Sequence, residues 1–148
     1  MLITLQSESG GDASTFSNYF RETVQIQPNS EIALVSIAYK FSNDDSSDRE
    51  SQVMLVNLED FQLKSICKTG GVQSNLAMIP YGALHQDATK AKGEFFYEAY
   101  NLIYHKLDNA DIVNHNQLRI RITDGVGNAL TKLEFPTTIT VDLRPRAR

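Results

Sequence analysis

Cysteine occurs once in this sequence, neither sign of charge is in large excess, and no apolar run approaches the length of a membrane span. The lone Cys67 cannot close an intrachain disulfide, which excludes the disulfide framework of a small secreted domain and suits a reducing compartment. A spanning helix needs about 18 apolar residues, and even the stretch 32–39 is interrupted by Ser36. The start, 1–6, is too short and uncharged for a signal peptide, so none is expected. With 14 basic against 18 acidic residues the net charge is -4, which disfavours the broad electrostatic footprint of non-specific nucleic-acid binding but leaves room for a local basic patch. Helical periodicity is also lacking. Only 83–92 has helix-forming composition, and its single large apolar residue, Leu84, gives no face to bury, so a surface loop is expected there.

What remains is ordinary globular composition, 41% hydrophobic and 22% charged, in 148 residues, which argues for one ordered domain. A chain of this size buries about 68–70% of its unfolded surface and requires neither disulfide nor metal for stability. No internal repeat or interdomain linker divides it.

The legible periodicity is two. In 117–123, Leu118, Ile120 and Ile122 alternate with Gln117, Arg119, Arg121 and Thr123, the pattern of a strand with one wet face. The turn-rich Asp124-Gly125-Val126-Gly127-Asn128 follows, and 129–135 and 136–144 resume the extended pattern. The first pair reads as a hairpin, and Pro136 fits a strand start or an edge, giving a C-terminal three-strand unit. Earlier strands are expected at Leu2–Gln6, 20–27, 31–41, Val53–Leu58, 76–80 and 94–97. In 31–41 Ile32 and Leu34 fall on one face while Val35, Ile37, Tyr39 and Phe41 fall on the other, so both faces read as apolar. Pro28-Asn29-Ser30 is a turn signal, 43–51 a polar loop and 65–74 a glycine-containing loop. About eight or nine short strands without βαβ alternation indicate an all-β single jelly-roll β-sandwich.

Catalytic signatures do not survive their context. Ser65-Ile66-Cys67-Lys68 matches S-x-x-K and Lys68-Thr69-Gly70 matches K-T-G, but one lysine would have to serve two motifs that must lie on separate elements. Asp44, Ser46 and Asp48 have calcium-loop spacing, yet Arg49 stands where the turn glycine belongs and Leu55 where a bidentate glutamate belongs. His85, His105 and His115 lack metal-ligand spacing, and Cys67 has only Lys68 beside it to activate a thiolate. The aromatic stretch Phe95, Phe96, Tyr97, Tyr100 and Tyr104 has no interleaved basic residues, so packing explains it more simply than base stacking. No catalytic, cofactor-binding or metal-ligating residue is therefore assigned, and no cofactor is expected.

The C-terminal 144–148 differs in kind, with Arg144, Arg146 and Arg148 among five residues. Two readings stand: assembly contacts to an acidic protein surface or phosphate, or a solvated basic tail.

Together these phrases resemble the small single jelly-roll penton, or minor capsid, proteins of double-jelly-roll DNA viruses such as virophages, Polinton-like and adinto-like elements. The resemblance lies in Leu2-Ile3-Thr4-Leu5-Gln6-Ser7, Phe16-Ser17-Asn18-Tyr19-Phe20 and the phrase from Pro28 to Ser36. Towards the other end it lies in Leu107-Asp108-Asn109, in the phrase from Asn116 to Asp124 and in that from Pro136 to Arg144. It implies a structural virion protein without enzymatic activity, a homopentamer at the five-fold vertices of an icosahedral capsid. The partners it implies are further copies of the chain, a double-jelly-roll major capsid protein and a vertex spike. It also implies a place in the virion after synthesis in the host cytoplasm or nucleus. The alternative is a β-sandwich recognition module, a vertex spike head or carbohydrate-binding domain, with its site on the loops 43–51 and 65–74. A small β-fold enzyme ranks last, because no nucleophile–base or metal constellation is visible.

Overall fold

The computed structural model describes residues 1–41, 53–61, 65–66, 72–73, 75–80, 93–125, 127–128, 130 and 133–146. The expected loop 43–51, the stretch 83–92 and Cys67 lie outside these residues. The described residues contain no α-helix. They form strands β1 (Leu2–Gln6), β2 (Thr15–Ile26), β3 (Ser30–Phe41), β4 (Val53–Leu58), β5 (Ser65–Ile66), β6 (Val72–Gln73), β7 (Asn75–Pro80), β8 (Gly93–Glu98), β9 (His105–Lys106), β10 (Val113–Asp124) and β11 (Leu133–Pro145).

Two antiparallel sheets pack face to face. One has the order β1-β11-β3-β8, with β9 extending the β8 edge along β3, and the other has the order β2-β10-β4-β7. Once the three two-residue strands are set aside, eight remain. The first sheet takes the first, eighth, third and sixth of these, and the second sheet the second, seventh, fourth and fifth. That interleaving of two Greek keys is the jelly roll. It arises because almost every connection crosses from one sheet to the other, so each strand turns an alternating apolar face towards the same interior.

The period-two reading of β10 is borne out: Leu118, Ile120 and Ile122 are buried while Arg119 and Arg121 are exposed. They meet Ile3 and Leu5 of β1, Met54, Val56 and Leu58 of β4, and Ile139, Val141 and Leu143 of β11 in one core. The two-faced reading of β3 is corrected. Consecutive residues Thr140 and Val141 of β11 face Ser36 and Leu34, leaving Val35 as an extra residue. This bulge shifts the side-chain phase by one, so Ile32, Leu34, Ile37 and Tyr39 all turn inward and are buried.

The expected C-terminal hairpin is also corrected. β10 lies between β2 and β4 in one sheet, whereas β11 lies between β1 and β3 in the other. The reversal is closed by its own bonds: the Asp124 N–H donates to the Asn128 carbonyl at 2.8 Å, and Asp124 Oδ1 accepts the Asn128 N–H at 2.9 Å. Gly127 at φ 95 supplies the left-handed residue. It is an arch between sheets, because pairing its two arms would displace β2 or β4 from β10.

The segments expected at 129–135 and 136–144 share one strand from Leu133. Pro136 lies inside this central strand, not at a strand start or edge, and its preceding peptide is cis. The register shift between Glu134 and Thr138 allows it there, because a residue in a bulge owes the ladder no N–H. The loop expected at 65–74 contains a small ladder, Ser65 opposite Gln73 and Ile66 opposite Val72.

Candidate assembly surfaces

The arginines of the C-terminal end fall into different situations. Arg144 belongs to β11, opposite Glu31 of β3, and its Nε donates to Glu31 Oε1 at 2.8 Å. Its guanidinium lies 3.5 Å from the centroid of the Tyr104 ring. The Tyr104 hydroxyl donates to Asp142 Oδ2 at 2.7 Å, and the amino group of Met1 donates to the other oxygen at 3.2 Å. Tyr104 therefore lies across the outer face of the first sheet, over the Ala33–Asp142 register pair, and Ala33 is fully buried although it points away from the core. The hydroxyl of Tyr104 holds the Asp142 carboxyl below its ordinary range, against the opposing effect of burial. The same bond pushes the Tyr104 phenol up.

Arg146 follows β11. Its N–H donates to the Asn29 carbonyl at 3.0 Å and the residue is exposed. Arg148 lies outside the described residues. Arg144 is thus engaged within its own chain, while Arg146 is presented at the end of the sandwich.

That end is built from two phrases far apart in sequence. Asn29, at φ 56, turns the chain into β3, and its N–H donates to the Asn109 carbonyl at 2.9 Å. The Asn109 amide donates to the Gln27 carbonyl at 2.8 Å and to the Asp111 carbonyl at 3.0 Å, and its Oδ1 accepts the Ser30 N–H at 3.3 Å. The Leu107 N–H donates to the Ser30 carbonyl at 3.0 Å. A single asparagine thereby fixes the entrance of β3 against the segment before β10. Sequence reasoning singled out both phrases without seeing that they meet, since nothing local marks a partner about 80 residues away in sequence.

Among the described residues the remaining sequence candidates do not converge. His105 sits in β9 opposite Ile32, and His115 in β10 packs edge-on to Phe61 at 5.1 Å. Among the described residues no group of three or more histidines, cysteines, aspartates or glutamates could hold a metal ion. Ser65 lies in β5, while Lys68, Gly70, Asp44, Ser46, Asp48 and His85 fall outside the described residues, as does most of the loop-borne site of a recognition module. No protein-family model matches this chain, and no curated protein matches its sequence.

The aromatic stretch divides by strand geometry. Phe95 and Tyr97 pack against the core, with Phe95 stacked on Tyr39 at 5.4 Å, so Phe96 must point out. Three successive aromatics in a strand cannot all face one side, and that is the sequence signal for an exposed Phe96. Tyr19 of β2 is exposed as well, on the far flank of the sandwich. No sequence feature marks Tyr19, because the irregularity of β2 between the Gln117–Tyr19 and His115–Val24 pairs breaks its alternation.

Proposed function

We propose that this protein is a structural capsid subunit, a penton that forms a homopentamer at the vertices of an icosahedral shell. The observation that carries the reading is the strand order, β1-β11-β3-β8 over β2-β10-β4-β7. A sandwich of this kind offers two flanks for lateral contact, and a ring closes when one flank fits the other under a fixed rotation. Exposed aromatics on those flanks, Tyr19 and Phe96, support lateral burial, since a large apolar side chain in water gains by association.

The basic end is proposed to meet a neighbouring capsomer, with Arg146 and Arg148 pairing to an acidic surface on the major capsid protein. Replacing both by serine should leave subunit stability nearly unchanged and lower vertex occupancy, most strongly at low salt, where their charges are least screened. Electron microscopy of the purified protein tests the main reading. Ring-shaped particles with five-fold class averages are expected, and a field of single sandwiches at micromolar concentration contradicts it.

A further inference from the structure

We infer that copies of this chain associate head to tail, the corner bearing Tyr19 and Arg21 on one copy seating on the corner bearing Phe96 and Glu98 of the next. The inference rests on the ring-forming reading above and names the surfaces that would carry it.

The two corners lie on opposite flanks. β1 and β2 end their sheets on one side, tied together by the bonds between Asn18 and Gln6, while β7 and β8 end them on the other. Tyr19 is 75% exposed and Phe96 63%. Phe96 stands outward on the first sheet and Tyr19 outward on the second, so the corners are diagonally opposed. Register places them at one height. Phe96 is opposite Ala38, Ala38 opposite Thr138, and Thr138 opposite Gln6, whose backbone is held by Asn18, the neighbour of Tyr19.

The charges follow the same geometry. Two residues beyond Phe96 is Glu98, opposite Ser36, with Thr140 and Thr4 completing its row. Arg21 lies in the irregular stretch of β2, but the preceding Phe20 packs against the core and Arg21 is exposed, so it stands outward beside Tyr19, and both steps run towards the end of the sandwich that holds Asn29 and Asn109. Both residues are exposed, and among the described residues neither is in an ion pair. Glu22, next along β2, tempers the positive charge of its flank. The aromatic pair therefore supplies most of the affinity, and the charge pair sets orientation.

A second copy is the occupant that satisfies both corners at once. Two-fold association with Arg21 or Glu98 on its axis would set like charges together, and like charges in an interface are penalised. Head-to-tail contact sets opposite charges together, and unlike surfaces joined under a constant rotation close a ring.

Sedimentation velocity across a concentration series, with melting temperatures alongside, tests this on the full chain. Phe96→Ser, Tyr19→Ser, Arg21→Glu and Glu98→Arg should each weaken association by about tenfold or more, with melting temperatures close to wild type. The double reversal Arg21→Glu with Glu98→Arg should recover association to within about threefold of wild type, which a folding defect could not do. If wild type forms rings and the four single variants associate equally well, these corners are not the interface, although the ring reading stands. A double variant no better than its parents overturns the pairing. Wild type that stays monomeric throughout overturns both the inference and the reading beneath it.

Discussion

The Asn18 side chain closes a two-bond ring on the backbone of Gln6, accepting its N–H at 2.7 Å and donating to its carbonyl at 2.8 Å. Gln6 ends β1 in one sheet and Asn18 belongs to β2 in the other, so this amide joins the sheets along their common flank. It also occupies a backbone donor and acceptor that an edge strand would otherwise present to any passing strand.

Asn18→Ala should therefore destabilise the fold by about 1–3 kcal/mol, the range for two net hydrogen bonds. Asn18→Asp, which keeps an acceptor for the Gln6 N–H but brings an oxygen to the Gln6 carbonyl, should not restore stability. Urea denaturation of the three proteins checks both, and an Asp variant as stable as wild type would contradict the two-bond account.

The bulge at Val35 makes a distinct claim about phase. Ile37→Ala should cost about 2–5 kcal/mol, because its side chain is fully buried in the core. Val35→Ala should cost less than about 1.5 kcal/mol, since the bulged residue is only half-buried. Equal costs in thermal melts would mean that β3 runs unbroken with two apolar faces.

The register of β10 can be tested in the same way. Ile120→Ala should lower stability by about 2–5 kcal/mol. Arg119, exposed and paired with Asp60 at 3.1 Å, should lose no more than about 1 kcal/mol as Arg119→Gln. The opposite ranking in denaturant midpoints would invert the strand by one residue.

Asp142 gives the fold a pH signature. Its carboxyl is held below its ordinary value of 3.8 by the Tyr104 hydroxyl, so the native state favours the charged form. Stability from this group is present above the unfolded value and is lost as pH falls through the lower folded value. The melting-temperature gap between wild type and Asp142→Asn should be full at pH 6 and shrink below about pH 4. A gap that widens on acidification would contradict the sign.

Strand content, the inward set of β10 and the sandwich class were legible because alternation is local and one face is buried. The sheet partners were not. Asp124 to Asn128 carries the glycines of a tight turn, yet whether its arms pair or part depends on β2 and β4 already flanking β10. Nor does composition announce Val35 as a bulge, because any residue can be the extra one and only the partner strand's count reveals it. The contact surfaces were least legible. Tyr19 has the residue type of a core and becomes surface only once the flank of the sandwich is known, whereas alternation alone marks one of Phe95, Phe96 and Tyr97 as outward. Arg144 reads as part of a free tail until Glu31 and Tyr104 are found beside it.

Native mass spectrometry of the purified wild-type chain addresses the central claim most directly, because a closed ring has one mass and an open chain of copies has many. The account predicts a single dominant species at five times the 16.6 kDa of the subunit, sharpening with concentration. A monomer of 16.6 kDa at every concentration, or a ladder of masses without a closed species, would contradict it.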